Sequence, residues 1–144
     1  MTRQTASQAA GLKLSVARAI VGGALASAER MGIAISCAVV DSGDQLVAFE
    51  RMDGADLVTI NLATDKAYSA LVNHMPTSEL APLVQPGTEF YGYDSLAGGR
   101  MVVFGGGLPI DIGGVLVGAV GVSGGSAEQD EQCAQAGLTT GIER

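Results

Sequence analysis

Residues 115–124, VLVGAVGVSG, carry no charge and are apolar almost without a break. A strand with one buried face alternates apolar and polar positions, whereas a continuous apolar run needs cover on both faces. This segment is therefore expected to be a central strand, and the rest of the chain must supply its neighbours and its covering helices.

The first such helix is read from Ser7 to Met31. Leu14, Ala17, Ile20, Val21, Ala24, Leu25 and Ala28 recur at three- and four-residue steps, and Gly32 follows as a stop. Ile33 to Asp41 and Leu46 to Met52 flank the turn SGDQ and predict a hairpin. A second helix is expected from about Ala55 to His74, ended by Pro76. Leu57, Ile60, Ala63, Ala67 and Leu71 form one apolar stripe on it. Val58, Leu62 and Val72 lie towards the other side, interleaved with Lys66, Ser69 and Asn73. A helix apolar on both sides is covered on both. The sheet covers one side, and a partner subunit is expected over the other, with Lys66, Thr59 and Ser69 in that seam.

The proline-rich PTSELAPLVQPG and the irregular TEFYGYDSLAGGR lead into three strand-like pieces: MVVFG, LPIDIGG and the central run. Ser126, followed by acidic residues, marks the start of a closing helix. Ala127, Asp130, Ala134, Gly137, Leu138 and Gly141 share one face of it, small enough to lie close on a sheet. The order predicts one α+β domain over residues 1–144, a five-stranded antiparallel sheet flanked by helices.

Charged residues make up only 16% of the 144, which points to surface covered by other copies of the chain. The net charge of −7 removes the attraction that nucleic-acid phosphates require, so no nucleic-acid partner is expected. The opening residues MTRQTAS lack the apolar core of a secretory signal, and no run reaches membrane-spanning length. A soluble cytoplasmic protein with no membrane partner is the expectation. Cys37 and Cys133 sit outside any CxxC or cysteine–histidine spacing and read as small buried thiols; no metal site is expected.

Several residues could carry chemistry. FGGGLPIDIGG has neither the lysine nor the spacing of a phosphate loop. Gly105, Gly106, Gly107 and Pro109 fit a hairpin or bulge, whose bare amides could also approach a ligand. Lys66 is either snorkelling or partly buried, and a buried lysine could act as a base or an anion hook. His74 is the single histidine, placed where it complements a helix dipole. Asp41, Glu50, Arg51 and Asp53 bracket the first hairpin as edge charges. Asp130, facing a sheet, must be paired or hydrogen-bonded. Phe90, Tyr91 and Tyr93 gather aromatic surface in one irregular stretch.

The segments VVDSGDQLVAFERMDGA, DKAYSA, VQPG, FGGGLPI and GAVGVSGGSAEQDEQCAQAG resemble the GlcG/HbpS-like haem-binding family, whose domain also forms the C-terminal part of PduO-type proteins. The likeness runs from about Ala9 to Ile142. It implies a five-stranded antiparallel sheet and assembly as homodimers or larger homo-oligomers; haem or another small anionic or aromatic molecule is expected as ligand, in a pocket near helix two, the glycine turn and the subunit interface. The family's lysine segment falls on Lys66, Ala67, Ser69 and Ala70, and its glycine segment on Gly105, Gly106, Gly107 and Pro109. Ser69, Tyr91, Tyr93 and His74 join these as ligand-binding candidates. A second reading is a cofactor-free isomerase, tautomerase or lyase of small-molecule catabolism, with Lys66 exchanging protons with Asp130, Glu50 or a tyrosine.

Overall fold

The computed structural model describes residues 11–142. Helix α1 spans Leu14–Met31, followed by the antiparallel pair β1 (Ser36–Asp41) and β2 (Leu46–Arg51). Helix α2 spans Val58–Asn73, then short 3-10 turns lead to β3 (Gly107–Ile112), β4 (Val115–Ser123) and α3 (Ala127–Gly141). The sheet order is β2-β1-β4-β3, antiparallel throughout, so the apolar run β4 is an inner strand as its composition requires. Alternate residues point to opposite faces. Cys37 and Val39 of β1, with Val120 and Val122 of β4, pack under α1 and α3. Val40 and Ala119 pack under Ala67, Ala70 and Leu71 of α2.

Among the described residues the sheet has four strands, not five. Residues 101–103 of the strand-like piece MVVFG make no ladder. The Val102 N–H donates to Ser69 Oγ at 2.7 Å, so α2 meets its hydrogen-bonding need and it lies along the helix. The tight hairpin turn is consequently Gly113–Gly114, both with positive φ, between β3 and β4. Gly105–Gly107 instead form the entry to β3. At the first helix, residues 11–13 are not helical, and residues 7–10 lie outside the described residues.

A second correction concerns α2. Thr59, Lys66 and Ser69 are buried, not set in an outer seam: Thr59 meets Ser36 and Lys66 meets the Val122 carbonyl of the sheet, while Ser69 lies under the tail at residues 100–102. Leu57, placed on the buried stripe by its spacing, is 76% exposed because it precedes the first helical turn. The reason is close approach: Ala63 and Ala67 bring the helix so near β4 that only Gly121 fits beneath them. A Cβ there would lie 1.9 Å from the Ala63 carbonyl oxygen.

Helix α3 begins with a capping box, in which Ser126 Oγ accepts from the Gln129 N–H and the Gln129 side chain accepts from the Ser126 N–H. Its small face lies mainly on α1, with Gly137 and Gly141 against Ile20. Both cysteines are fully buried, and burial raises the Cys37 thiol above its ordinary range, so it stays protonated and unreactive in the folded domain. Among the described residues, no helix is long and apolar enough to cross a membrane, and no cluster of three or more potential metal ligands forms.

Candidate functional site

Lys66 and Asp130 meet although they belong to helices on opposite faces of the sheet. The lysine side chain runs past the end where β3 begins and β4 finishes. Its Nζ donates to Asp130 Oδ2 at 2.9 Å and to the Val122 carbonyl at 3.0 Å. It also lies 5.2 Å from the centroid of the Phe104 ring. Side-chain exposure is 1% for Lys66 and 3% for Asp130. Burial pulls the Lys66 pKa below the usual lysine value, while the hydrogen bond and charge of Asp130 oppose that shift. Asp130 Oδ1 accepts from the Gly125 N–H at 2.8 Å, which fixes the carboxylate at the start of α3.

The glycines at the entry to β3 have their role here. A Cβ at Gly106 would stand 2.7 Å from Lys66 Nζ, and one at Gly107 would stand 2.3 Å from the Lys66 carbonyl. They make room for the lysine and for α2. The Gly107 N–H is already taken, donating to Thr77 Oγ1 at 2.9 Å. Pro109 is half-buried within β3. Ser69 Oγ is engaged with the Val102 N–H and with backbone carbonyls of Asp65 and Arg100. Glu50 stands apart from Lys66, exposed on the edge strand β2 beside Arg18 and Phe49 in a separate depression. His74 caps α2 in a left-handed conformation, and its Nε2 pairs with Asp111 Oδ1 at 3.0 Å near the surface.

An apolar groove of about 190 Å³ lies at the C-terminal end of α2. Asn73 and Met75 line it from the end of the helix. Leu80, Leu83, Val84, Phe90 and Tyr93 are contributed by the segment that follows. Phe90 and Tyr93 meet edge to face with centroids 6.1 Å apart, and Tyr93 Oη donates to Asn73 Oδ1 at 2.6 Å. Tyr91 projects beside them, 68% exposed. Of the aromatic residues singled out in the sequence, the groove gathers Phe90 and Tyr93 but not Tyr91. Met75, Leu80, Leu83 and Val84 are not among the candidates, because a segment of consecutive single turns has no helical or strand period to expose its inward face; Asn73, at the end of α2, reads in the sequence only as a polar residue of the helix's outer side.

Arg100 anchors the far end of that segment. It donates to Asp44 Oδ2 and Asp65 Oδ1, both at 3.0 Å, and its guanidinium lies 4.1 Å from the Tyr68 ring centroid. Asp65 thus serves Arg100 rather than Lys66.

Fold and site together define a small α+β domain, clamped across its sheet by a buried ion pair and grooved beside one helix end. The chain belongs to the HbpS-like family, haem degrading protein HbpS-like, which it matches over residues 12–139. It is 37% identical over 131 residues to an uncharacterized 15.0 kDa protein of Citrobacter freundii from the dhaT-dhaS intergenic region, covering 91% of this chain and 92% of that one. It is also 37% identical over 115 residues to the corrinoid adenosyltransferase PduO of Salmonella typhimurium, covering 80% of this chain but only 34% of PduO. Among solved structures, a PduOC:heme complex superposes with a TM-score of 0.87 at 34% identity, covering 90% of this chain and 94% of that one.

Proposed function

We propose that this chain binds haem, or another small flat aromatic molecule, in the groove at the end of α2. The observation that carries this reading is the groove's lining. Five apolar side chains close on Asn73 and Tyr93, and Met75 and Tyr93 are of the thioether and phenol types that ligate haem iron. Kinship to a chain that forms a haem complex supports the choice of ligand. Bound haem would supply a redox-active, Lewis-acidic iron; the chain's own residues supply apolar contact and a hydrogen-bonding end. The burial of Lys66, with its ammonium already engaged, favours binding over proton transfer to a substrate. Titration with haemin at micromolar protein is expected to give a saturable, shifted Soret band that changes when Met75 is replaced by alanine. A wild-type spectrum identical to that of free haemin defeats the reading.

Self-association belongs to the same proposal. The outer side of α2 leaves Val58 66% and Val72 50% exposed, apolar surface that a second copy of the chain would cover. Val58 belongs to neither core cluster, and Val58→Glu is expected to lower the mass seen in sedimentation velocity. A wild-type species sedimenting as monomer, or a variant of unchanged mass, argues against that surface.

A further inference from the structure

The groove as it stands is small. Sites that enclose a drug-sized ligand usually measure roughly 300–1,000 Å³, against about 190 Å³ here. Enclosing a porphyrin there therefore requires one wall to move, and the structure shows which wall is least held. Residues 85–91 and 94–99 are all exposed, with only Gly92 and Tyr93 half-buried between them. Their backbone hydrogen bonds run from turn to turn: Thr88 to Gln85, Tyr91 to Thr88, Tyr93 to Phe90, Leu96 to Tyr93 and Gly99 to Leu96. The side chains of Gln85, Thr88 and Ser95 likewise bond to neighbouring carbonyls within residues 81–92. Among the described residues, one hydrogen bond from residues 85–99 reaches the body of the domain, that from Tyr93 Oη to Asn73 Oδ1.

The segment also has a turning point. Ala97, Gly98 and Gly99 are three successive residues with positive φ, at 56°, 67° and 86°. A left-handed alanine is strained, and such strain persists where surrounding structure imposes it. Arg100 follows directly, fixed to Asp44, Asp65 and the face of Tyr68. A firm anchor thus sits beside a strained, glycine-rich joint, and beyond the joint lies a stretch with a single tie.

We infer that residues 85–99 are a lid over the groove, turning at Ala97–Gly99 and latched shut by the Tyr93–Asn73 hydrogen bond. Opening carries Phe90 and Tyr93 away from Asn73 and Met75 and widens the site. A ligand that offers its own partner to the Tyr93 hydroxyl or the Asn73 amide exchanges with the latch instead of leaving either group bare. The inference rests on the ligand reading above for its purpose, but the latch itself is a property of the free protein.

Tyr93→Phe tests it, because the ring and its packing on Phe90 remain and only the latch is lost. Removing one hydrogen bond of ordinary strength should raise the opening equilibrium about five-fold, equivalent to about 1 kcal/mol. Hydrogen exchange of amides 85–99 in the ligand-free variant is expected to accelerate by that factor while β4 amides keep their wild-type rates. Stopped-flow mixing with haemin should show faster association. Exchange in residues 85–99 unchanged from wild type overturns the latch, as does acceleration spread equally over the lid and β4. Weaker haemin binding with unchanged exchange also overturns it, since the hydroxyl would then be a ligand contact alone. Failure of the wild type to bind haemin removes the ligand reading, while the exchange experiment still decides the lid.

Discussion

Asp130→Ala is expected to lower the stability of the domain by about 3–5 kcal/mol, the range seen when one partner of a buried ion pair is removed. The loss comes from what is left behind. Lys66 keeps one acceptor, the Val122 carbonyl, and its charge has no route to solvent from a position 1% exposed. The variant also strips the Gly125 N–H of its acceptor, so Asp130→Asn is the cleaner comparison, removing the charge while keeping an oxygen for that amide. The pH dependence has a definite sign. Lys66 is already below the lysine value of 10.5 because burial penalises its charged form, and the only opposing influences come from Asp130. Without them the unfolded chain binds the proton more readily than the folded one. Variant stability should therefore rise as pH climbs through the depressed Lys66 value towards 10.5, and be lower on the acid side. Urea denaturation at pH 7 and near pH 10 checks this. A variant as stable as wild type at pH 7, or one that loses stability on alkalinisation, would contradict the burial of the pair. Replacing both residues together, Lys66→Met with Asp130→Leu, should recover most of the loss, because apolar pairs of similar volume often match buried ion pairs.

Gly121→Val should be more damaging still, with little or no folded protein recovered. The new Cβ would stand 1.9 Å from the Ala63 carbonyl oxygen and 2.6 Å from the Ala67 nitrogen. Both are backbone atoms of α2, so no side-chain rotation relieves the overlap and the helix itself must lift from the sheet. That movement would break the packing of Ala67, Ala70 and Leu71 over Val40 and Ala119 and would displace Lys66 from its acceptors. A cost above about 4 kcal/mol belongs to such cases. The contrasting change is Gly22→Ala on α1, where a Cβ meets nothing within 4 Å and φ is not positive. It should stabilise by about 0.4–1 kcal/mol through the unfolded chain. Circular-dichroism melts of the two variants separate glycine kept for contact from glycine that is merely tolerated. A well-folded Gly121→Val would show that α2 does not lie as close as described.

These contacts also mark what was legible in the sequence. The inner position of β4, the hairpin of β1 and β2, the three helices and the capping signal at Ser126 all follow from local pattern, because each states its own burial. The burial requirement at Asp130 was legible too, since a carboxylate on a face of small residues must find a partner. Lys66 stands beside it as one of several pairings, but for proton exchange in a pocket and not as a buried clamp across the sheet. Projection of α2 placed Lys66 on the outer side, because its apolar neighbours Leu62 and Val58 outweighed the space left by glycines far along the chain. Phe104 to Gly107 looked like a bend between two strands, whereas the first of those strands is a tail bonded to Ser69. The groove was least legible, since its wall is a chain of isolated turns whose inward side chains are chosen by the fold rather than by any repeat.

The lysine that runs past the end of the sheet has one more consequence, for the order in which the domain can come apart. A layered protein can in principle shed one helical layer while the other stays docked. Here the ammonium of α2 is secured to the strand between the layers and to the helix beyond it. Detaching either helix strands a charge on the other side. The three elements are therefore expected to come apart together, with no half-opened intermediate that keeps α3 in place while α2 is free.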